Sequence, residues 1–360
     1  MTTDQMTMTD ELTREAVDLL AQLIAVPRIS RDEKQAADLL QDYMTHHLGL
    51  KVERTANNLL AQASDFDPGR PTLLLNAHID TVKPVSAWQR DPFAPTREGD
   101  RLYGLGSNDD GASLVSLLHT FAMLSREGLP YNLLFLASAE EEVSGRDGME
   151  RMVPLLPRVD VALVGEPTGM QPAVAEKGLM VLDVMAHGQS GHAARDEGDN
   201  AIYHAIDGIQ WFRTHEWERV SPLLGRVKTT VTLVNAGTQH NVIPDRCTFT
   251  VDVRSNELYS NEELFGIISR HVQSEVKARS FRLNSSRIDL SHPLVQALVA
   301  LGKTPFGSPT LSDQALMPFP SLKMGPGQSS RSHTADEYIE VQEIRDAIDT
   351  YISLLRGLAL

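Results

Sequence analysis

The sequence predicts an α/β protein: a central mixed, mostly parallel sheet with helices on both faces, interrupted by an inserted ferredoxin-like α+β domain. Three observations predict it. Short apolar runs at 71–77, 131–139 and 161–165 are bounded by turn residues, as strands buried on both faces are. Between the first two runs, Leu114, Leu117, Leu118, Phe121 and Leu124 recur at helical spacing, where a parallel crossover belongs. From about Gly178 the pattern changes to strand, helix, strand, strand, helix, strand, the order of a ferredoxin-like sandwich.

In chain order, residues 10–24 carry apolar positions at helical spacing, and Pro27 stops the pattern. A second amphipathic helix is expected over 32–47, then strand signals near 51–63 and 71–79. The helix over 109–127 crosses back to the strand ending at 139. In the inserted part we expect a strand at 179–186, a helix at 200–213 and strands at 228–235 and 247–254 that can pair as neighbours. A helix at 261–278 and a final strand at 280–288 complete it. Residues 290–360 read as helix, loop, helix. The domain bounds that follow are 1–176 and 290–360 for one discontinuous domain and 177–289 for the insertion.

A chain of 360 residues is long enough for two domains with a sizeable core in the larger. Its formal charge of −15 argues against nucleic acid or an anionic membrane as partner, since both need a basic surface. The single cysteine, Cys247, excludes an internal disulfide and a Cys-rich zinc site and fits a reducing compartment. In the alternating stretch RCTFTVDV it reads as a packing residue, not a nucleophile. The amino terminus has neither the basic start nor the apolar stretch of a signal peptide, and no run approaches about 18 apolar residues. The expected location is cytoplasmic.

Each apolar run ends in metal-binding side chains: His78 and Asp80, then Glu140, Glu141 and Glu142, then Glu166. Ligands of open α/β sheets sit beyond the carboxyl ends of the strands, and these donors suit zinc or a similar divalent ion. His78 and Asp80 are two apart and leave the strand on the same side. Asp80 is therefore placed to orient the His78 ring through its other nitrogen. GLGSNDDG at 104–111 has Asp109 at the sixth position, which rules out a dinucleotide loop. Asp109 reads either as a helix cap or as a carboxylate bridging two ions. Three adjacent glutamates need a cation to stay ionised together; one should coordinate it and another serve as general base. His333 lies in a polar loop, SSRSHTADE, before the last helix. Four carboxylates and two histidines exceed one tetrahedral zinc and suit two ions about 3.5–4 Å apart that share a carboxylate. A serine nucleophile has no support, because GQSGH at 188–192 lacks the final Gly of a nucleophile elbow.

At these residues the chain resembles the dizinc aminoacylase and carboxypeptidase family over essentially its whole length. HxD, GxGxxD, the Glu-Glu pair, GEPT at 165–168 and the late His occur in that family's order. GLGSNDDGAS at 104–113, GHAARDEGDN at 191–200 and GSPTLSDQA at 307–315 resemble its acetylornithine deacetylase-like branch. The resemblance implies a zinc-exopeptidase-like catalytic domain in which His78, Asp109 and Glu166 hold one ion. Asp109, Glu142 and His333 would hold the other, with a cis peptide from Asp109 to Asp110. Glu141 would be the general base and Asp80 would orient His78; a one-residue slip among the three glutamates exchanges base and ligand.

The resemblance further implies a homodimer through the inserted domain, with His192 reaching a neighbouring active site to hold an oxyanion. Asn241 and Arg254 would bind the substrate's polar end, Arg254 by a bidentate clamp on a carboxylate. Many relatives carry Arg before the second Gly of the loop and Lys-Gly after its Asp; this chain has Leu105 and Asp110-Gly111. The expected reaction removes the acyl group from the α-nitrogen of a small-molecule amino acid, acetylornithine first, in arginine biosynthesis. N-succinylornithine, N-succinylcitrulline, N-acetylcitrulline or a small peptide are the alternatives, as is a catalytically silent metal-binding protein. Zinc is the expected metal, with cobalt or manganese able to serve carboxylate-rich ligation.

Overall fold

The computed structural model describes residues 3–360, with side chains from residue 8 onward; the reading of the amino terminus falls partly on Met1 and Thr2, outside them. The chain divides into two compact units. One comprises Met1–Val174, Ile288–Phe306 and Ser312–Leu360, the other Ala175–Arg287 and Gly307–Leu311.

The strands of the first unit run in the order Val52–Thr55, Asn58–Gln62, Asn132–Ser138, Thr72–His78, Val161–Val164, Ser321–Lys323 and Ala173–Glu176, the last of which passes into the second unit at Ala175. The four from Asn132–Ser138 to Ser321–Lys323 are parallel; Asn58–Gln62 and Ala173–Glu176 run antiparallel to them, and Val52–Thr55, antiparallel to Asn58–Gln62, runs in their direction. Thr72–His78 and Asn132–Ser138 are buried at every residue, which is why they read as unbroken apolar runs. The region near 51–63 is a hairpin of two strands turned at Ala56, whose φ is +53°. The crossover helix begins at Ala112, not 109, because Asp109 and Asp110 have non-helical backbone. Every residue of Ala112–Leu124 except Met123 is buried. It packs on the sheet and on the helices Thr3–Ile24 and Val341–Gly357. A small antiparallel sheet of Thr96–Glu98, Arg101–Tyr103 and Tyr338–Glu340 lays the loop after Tyr103 beside the loop before Tyr338.

The second unit has an antiparallel sheet in the order Lys228–Ala236, Arg246–Arg254, Met180–His187, Glu275–Ala278. Its two helices, Ala201–Thr214 and Asn261–His271, pack into one core with the inward side chains of that sheet. Strict alternation in Met180–His187 and Arg246–Arg254 matches a sheet with one covered face. Cys247 is part of that core. Asn200 and Ser260 cap the helices by accepting the Ile202 and Glu263 amides. The last strand corrects the expectation: it is Glu275–Ala278, inside the expected helix 261–278, while 280–288 holds only the short strand Ser286–Arg287. Pairing with Leu182–Met185 and burial of Val276 and Ala278 against the core override the helical propensity of EVKA.

Candidate metal centre

The carboxyl ends of the parallel strands and two loops deliver the acidic and imidazole groups of the first unit. His78 ends its strand and is 2% exposed. Its Nδ1–H donates to the Asp80 carbonyl at 2.9 Å, with the Asp80 carboxylate 3.6 Å away, and so Nε2 faces the Asp109 carboxylate at 3.2 Å. Asp80 therefore orients the ring chiefly through its backbone. Its carboxylate accepts the amides of Glu141 at 3.0 Å and Glu142 at 3.2 Å and the Ser30 hydroxyl at 2.6 Å. It fixes the turn that carries the two glutamates.

Asp109 precedes the cis peptide to Asp110. One of its oxygens is 3.2 Å from His78 Nε2, and the other is 3.6 Å from His333 Nε2. The carboxylate thus spans two histidines that lie far apart in sequence. His333 Nε2 is also 3.0 Å from Glu142. Glu141, His78 and Glu166 form one group of donor atoms lying within 4.8 Å of one another, and His78, Asp109 and Glu142 form a second. Glu142 thus reaches His333, while Glu141 belongs to the group with His78 and Glu166.

The electrostatics of the site suit a bound cation. Burial, opposed by His78 and reinforced by Glu166, Glu142 and Asp313, pushes the Glu141 carboxyl well up. Burial likewise raises Glu166, opposed by Lys323 and reinforced by Asp109 and Asp110. Glu142 holds the His333 imidazolium up to about 9. For His78, hydrogen bonds to Asp109 and Asp80 overcome a burial that alone would lower it. Buried carboxylates this crowded borrow protons unless a cation is present. The two triads overlap at His78, and their oxygen and imidazole donors suit divalent ions; the Asp109 carboxylate, with one oxygen toward His78 and the other toward His333, has the geometry of a group shared by two ions.

The remaining expected site residues lie in the second unit. His192 is in a two-residue strand paired with Val242–Ile243, and it is exposed. The Ala194 amide donates to its Nδ1 at 3.1 Å, which puts the proton of a neutral ring on Nε2. The Asn241 carbonyl accepts the Ala193 amide at 3.0 Å, so His192 and Asn241 share one ribbon. Arg254 is engaged otherwise than expected: its Nε and Nη2 hold both oxygens of Asp252, at 2.8 and 3.0 Å. An acidic residue two positions away in a strand lies on the same face, and that spacing was the signal in the sequence.

Sequence reasoning missed several supporting groups. Asp313 accepts the Ser138 hydroxyl at 2.6 Å, and Ser138 is paired in register with His78. Lys323, 1% exposed, is the ammonium acting on Glu166. Glu337 accepts three amides of the Asp109 loop. Asp313 and Glu337 stood inside motifs already singled out.

A sequence model of peptidase family M20/M25/M40 matches residues 74–357. Acetylornithine deacetylase of Pectobacterium carotovorum is 30% identical, covering 91% of this chain and 94% of the relative. Succinyl-diaminopimelate desuccinylase of Parvibaculum lavamentivorans is 28% identical, covering 95% of each. Among solved structures, a dinuclear metal-binding peptidase of Bacillus subtilis superposes with a TM-score of 0.71 at 17% identity, over 96% of this chain and 98% of that one.

Proposed function

Because the chain belongs to peptidase family M20/M25/M40, we propose that it is a two-metal amidohydrolase that removes the acetyl group from N-acetylornithine, a step of arginine biosynthesis. The observation that carries the metal reading is the Asp109 carboxylate, whose two oxygens face His78 and His333 separately. Relatives named acetylornithine deacetylase that span nearly the whole chain support the substrate.

Two divalent ions, most simply zinc, would be held by His78, Asp109 and Glu166 and by Asp109, Glu142 and His333, and would supply Lewis acidity toward the amide carbonyl and the attacking water. Glu141 takes the proton of that water and returns it to the leaving amine. Asp80 keeps Glu141 and Glu142 in place through their amides. His192 donates from Nε2 to the oxyanion of the tetrahedral intermediate. Asn241 binds the polar end of the substrate, and Arg254 does so by exchanging Asp252 for the substrate carboxylate.

The second unit serves as the homodimer contact in this reading. Lys228–Ala236 is an edge strand with Leu233 57% and Val234 54% exposed, and the neighbouring helix exposes Tyr203 and Ile206. An open edge of this kind, with apolar residues on it, is a template for pairing with a second chain.

The test is steady-state hydrolysis of N-acetylornithine, N-acetylcitrulline and their N-succinyl counterparts by metal-loaded protein beside a chelated control. Chelator-sensitive turnover led by N-acetylornithine is expected. Preference for a succinyl substrate would transfer the reading to the acyl group that the desuccinylase relative's name carries. No turnover of any of the four would overturn it in favour of a peptide substrate.

A further inference from the structure

The loop that presents Asp109 is gripped from two sides by charged groups that the reaction itself does not use. Arg28 is 1% exposed. Its Nη1 donates to the Ile79 carbonyl at 2.7 Å, and its Nη2 donates to the Gly106 carbonyl at 2.8 Å. Ile79 stands between His78 and Asp80, and Gly106 stands three residues before Asp109. One planar guanidinium therefore ties the strand end bearing His78 to the loop bearing Asp109.

From another segment, Glu337 accepts the Gly106 amide at 3.1 Å, the Asn108 amide at 2.8 Å and the Asp109 amide at 2.9 Å. Glu337 lies four residues beyond His333. The Gly106 residue is thus held at both its carbonyl and its amide. The glycines of the loop make room for this arrangement. At Gly106, φ is +73° and a Cβ would come within 2.5 Å of Arg28 Nη2; at Gly111 a Cβ would meet the same atom at 3.0 Å and the Gly106 carbonyl oxygen at 2.4 Å. A buried cation persists where hydrogen bonds and nearby opposite charge compensate its lost hydration. Here Glu337, Asp80, Asp110 and Asp109 supply that charge.

We propose that Arg28 and Glu337 are positioning residues for the metal pair, together holding Asp109 where its two oxygens face two different ion positions. The proposal rests on the two-ion reading of the site. Partners behind metal ligands typically set affinity by about 10–100-fold, and the fork of Arg28 reaches two carbonyls in a way the single ammonium of a lysine does not.

The experiment is cobalt(II) titration of chelator-stripped protein, followed by ion stoichiometry and visible absorption. It compares wild type with Arg28→Met, Arg28→Lys and Glu337→Gln, with circular dichroism and unfolding of the metal-free forms as controls. Wild type is expected to take two ions. Arg28→Met and Glu337→Gln should bind about 10–100-fold more weakly with an altered cobalt spectrum, and Arg28→Lys should restore little. Folded variants with wild-type affinity and spectrum would overturn the proposal. If Arg28→Met does not fold, Glu337→Gln decides by the same criterion. A wild-type chain that takes up no cobalt would overturn the two-ion reading and this proposal with it.

Discussion

Glu141 and Glu142 are neighbours to which the proposed reaction gives opposite duties, and Asp80 holds both by accepting their amides. Glu142 is turned to His333, whereas Glu141 lies with His78 and Glu166. Replacing Glu141 with Gln should leave uptake of two ions intact and cut turnover by about 10²–10⁴, the usual worth of a general base. Glu142→Gln should instead weaken one ion; the reverse outcome, read by metal analysis beside kinetics, would establish the slipped register. The raised pKa of His333, about 9 without metal, has a further consequence. Binding an ion requires the neutral ring, so metal uptake below pH 9 releases a proton. Affinity should therefore rise with pH between 7 and 9, and a pH-independent affinity would contradict this ligand role. Most groups of the centre were legible because strands and loops end in them. The Asp80 contacts to Glu141 and Glu142 were not, since a side chain's choice among nearby partners depends on three-dimensional geometry.

At the scale of elements, the crossover helix shows how a buried titratable group links stability to pH. His119 is fully buried, its Nδ1 donating to the Val115 carbonyl and its Nε2 accepting from the Tyr43 hydroxyl at 2.9 Å. Burial, outweighing the Val115 hydrogen bond, lowers its pKa to about 4. Between pH 6.5 and 4 the unfolded chain then binds a proton that the folded chain refuses. The contribution is fully present above 6.5 and is lost as pH falls toward 4, by on the order of 3 kcal/mol. Urea unfolding of His119→Gln beside wild type at pH 7 and 4.5 should show a smaller pH dependence in the variant; equal slopes would contradict it. The same helix was legible from its apolar spacing, and its start was misjudged because Asp109 and Asp110 serve the loop. Glu275–Ala278 was lost inside a helix for the opposite reason: a segment with three good helix formers, Glu275, Lys277 and Ala278, becomes a strand only through its partners.

For the molecule as a whole, the texture of the sequence changes near Gly178 and the chain divides between Val174 and Ala175, but the return of Gly307–Leu311 to the second unit left no mark in the pattern. A five-residue visit has no periodicity to detect. No helix among the described residues is long and apolar enough to cross a membrane. If the edge strand Lys228–Ala236 pairs two protomers, Leu233→Asp with Val234→Lys should convert a dimer to a chain of 39.7 kDa in sedimentation equilibrium. An unchanged dimer would place the contact elsewhere. The central claim concerns the pair of ions, and anomalous diffraction at the metal edge from crystals of metal-loaded protein tests it most directly. Two peaks about 3.5–4 Å apart, with Asp109 touching both, Glu166 and His78 on one and Glu142 and His333 on the other, are predicted. A single peak, or a pair bridged by any residue other than Asp109, would contradict it.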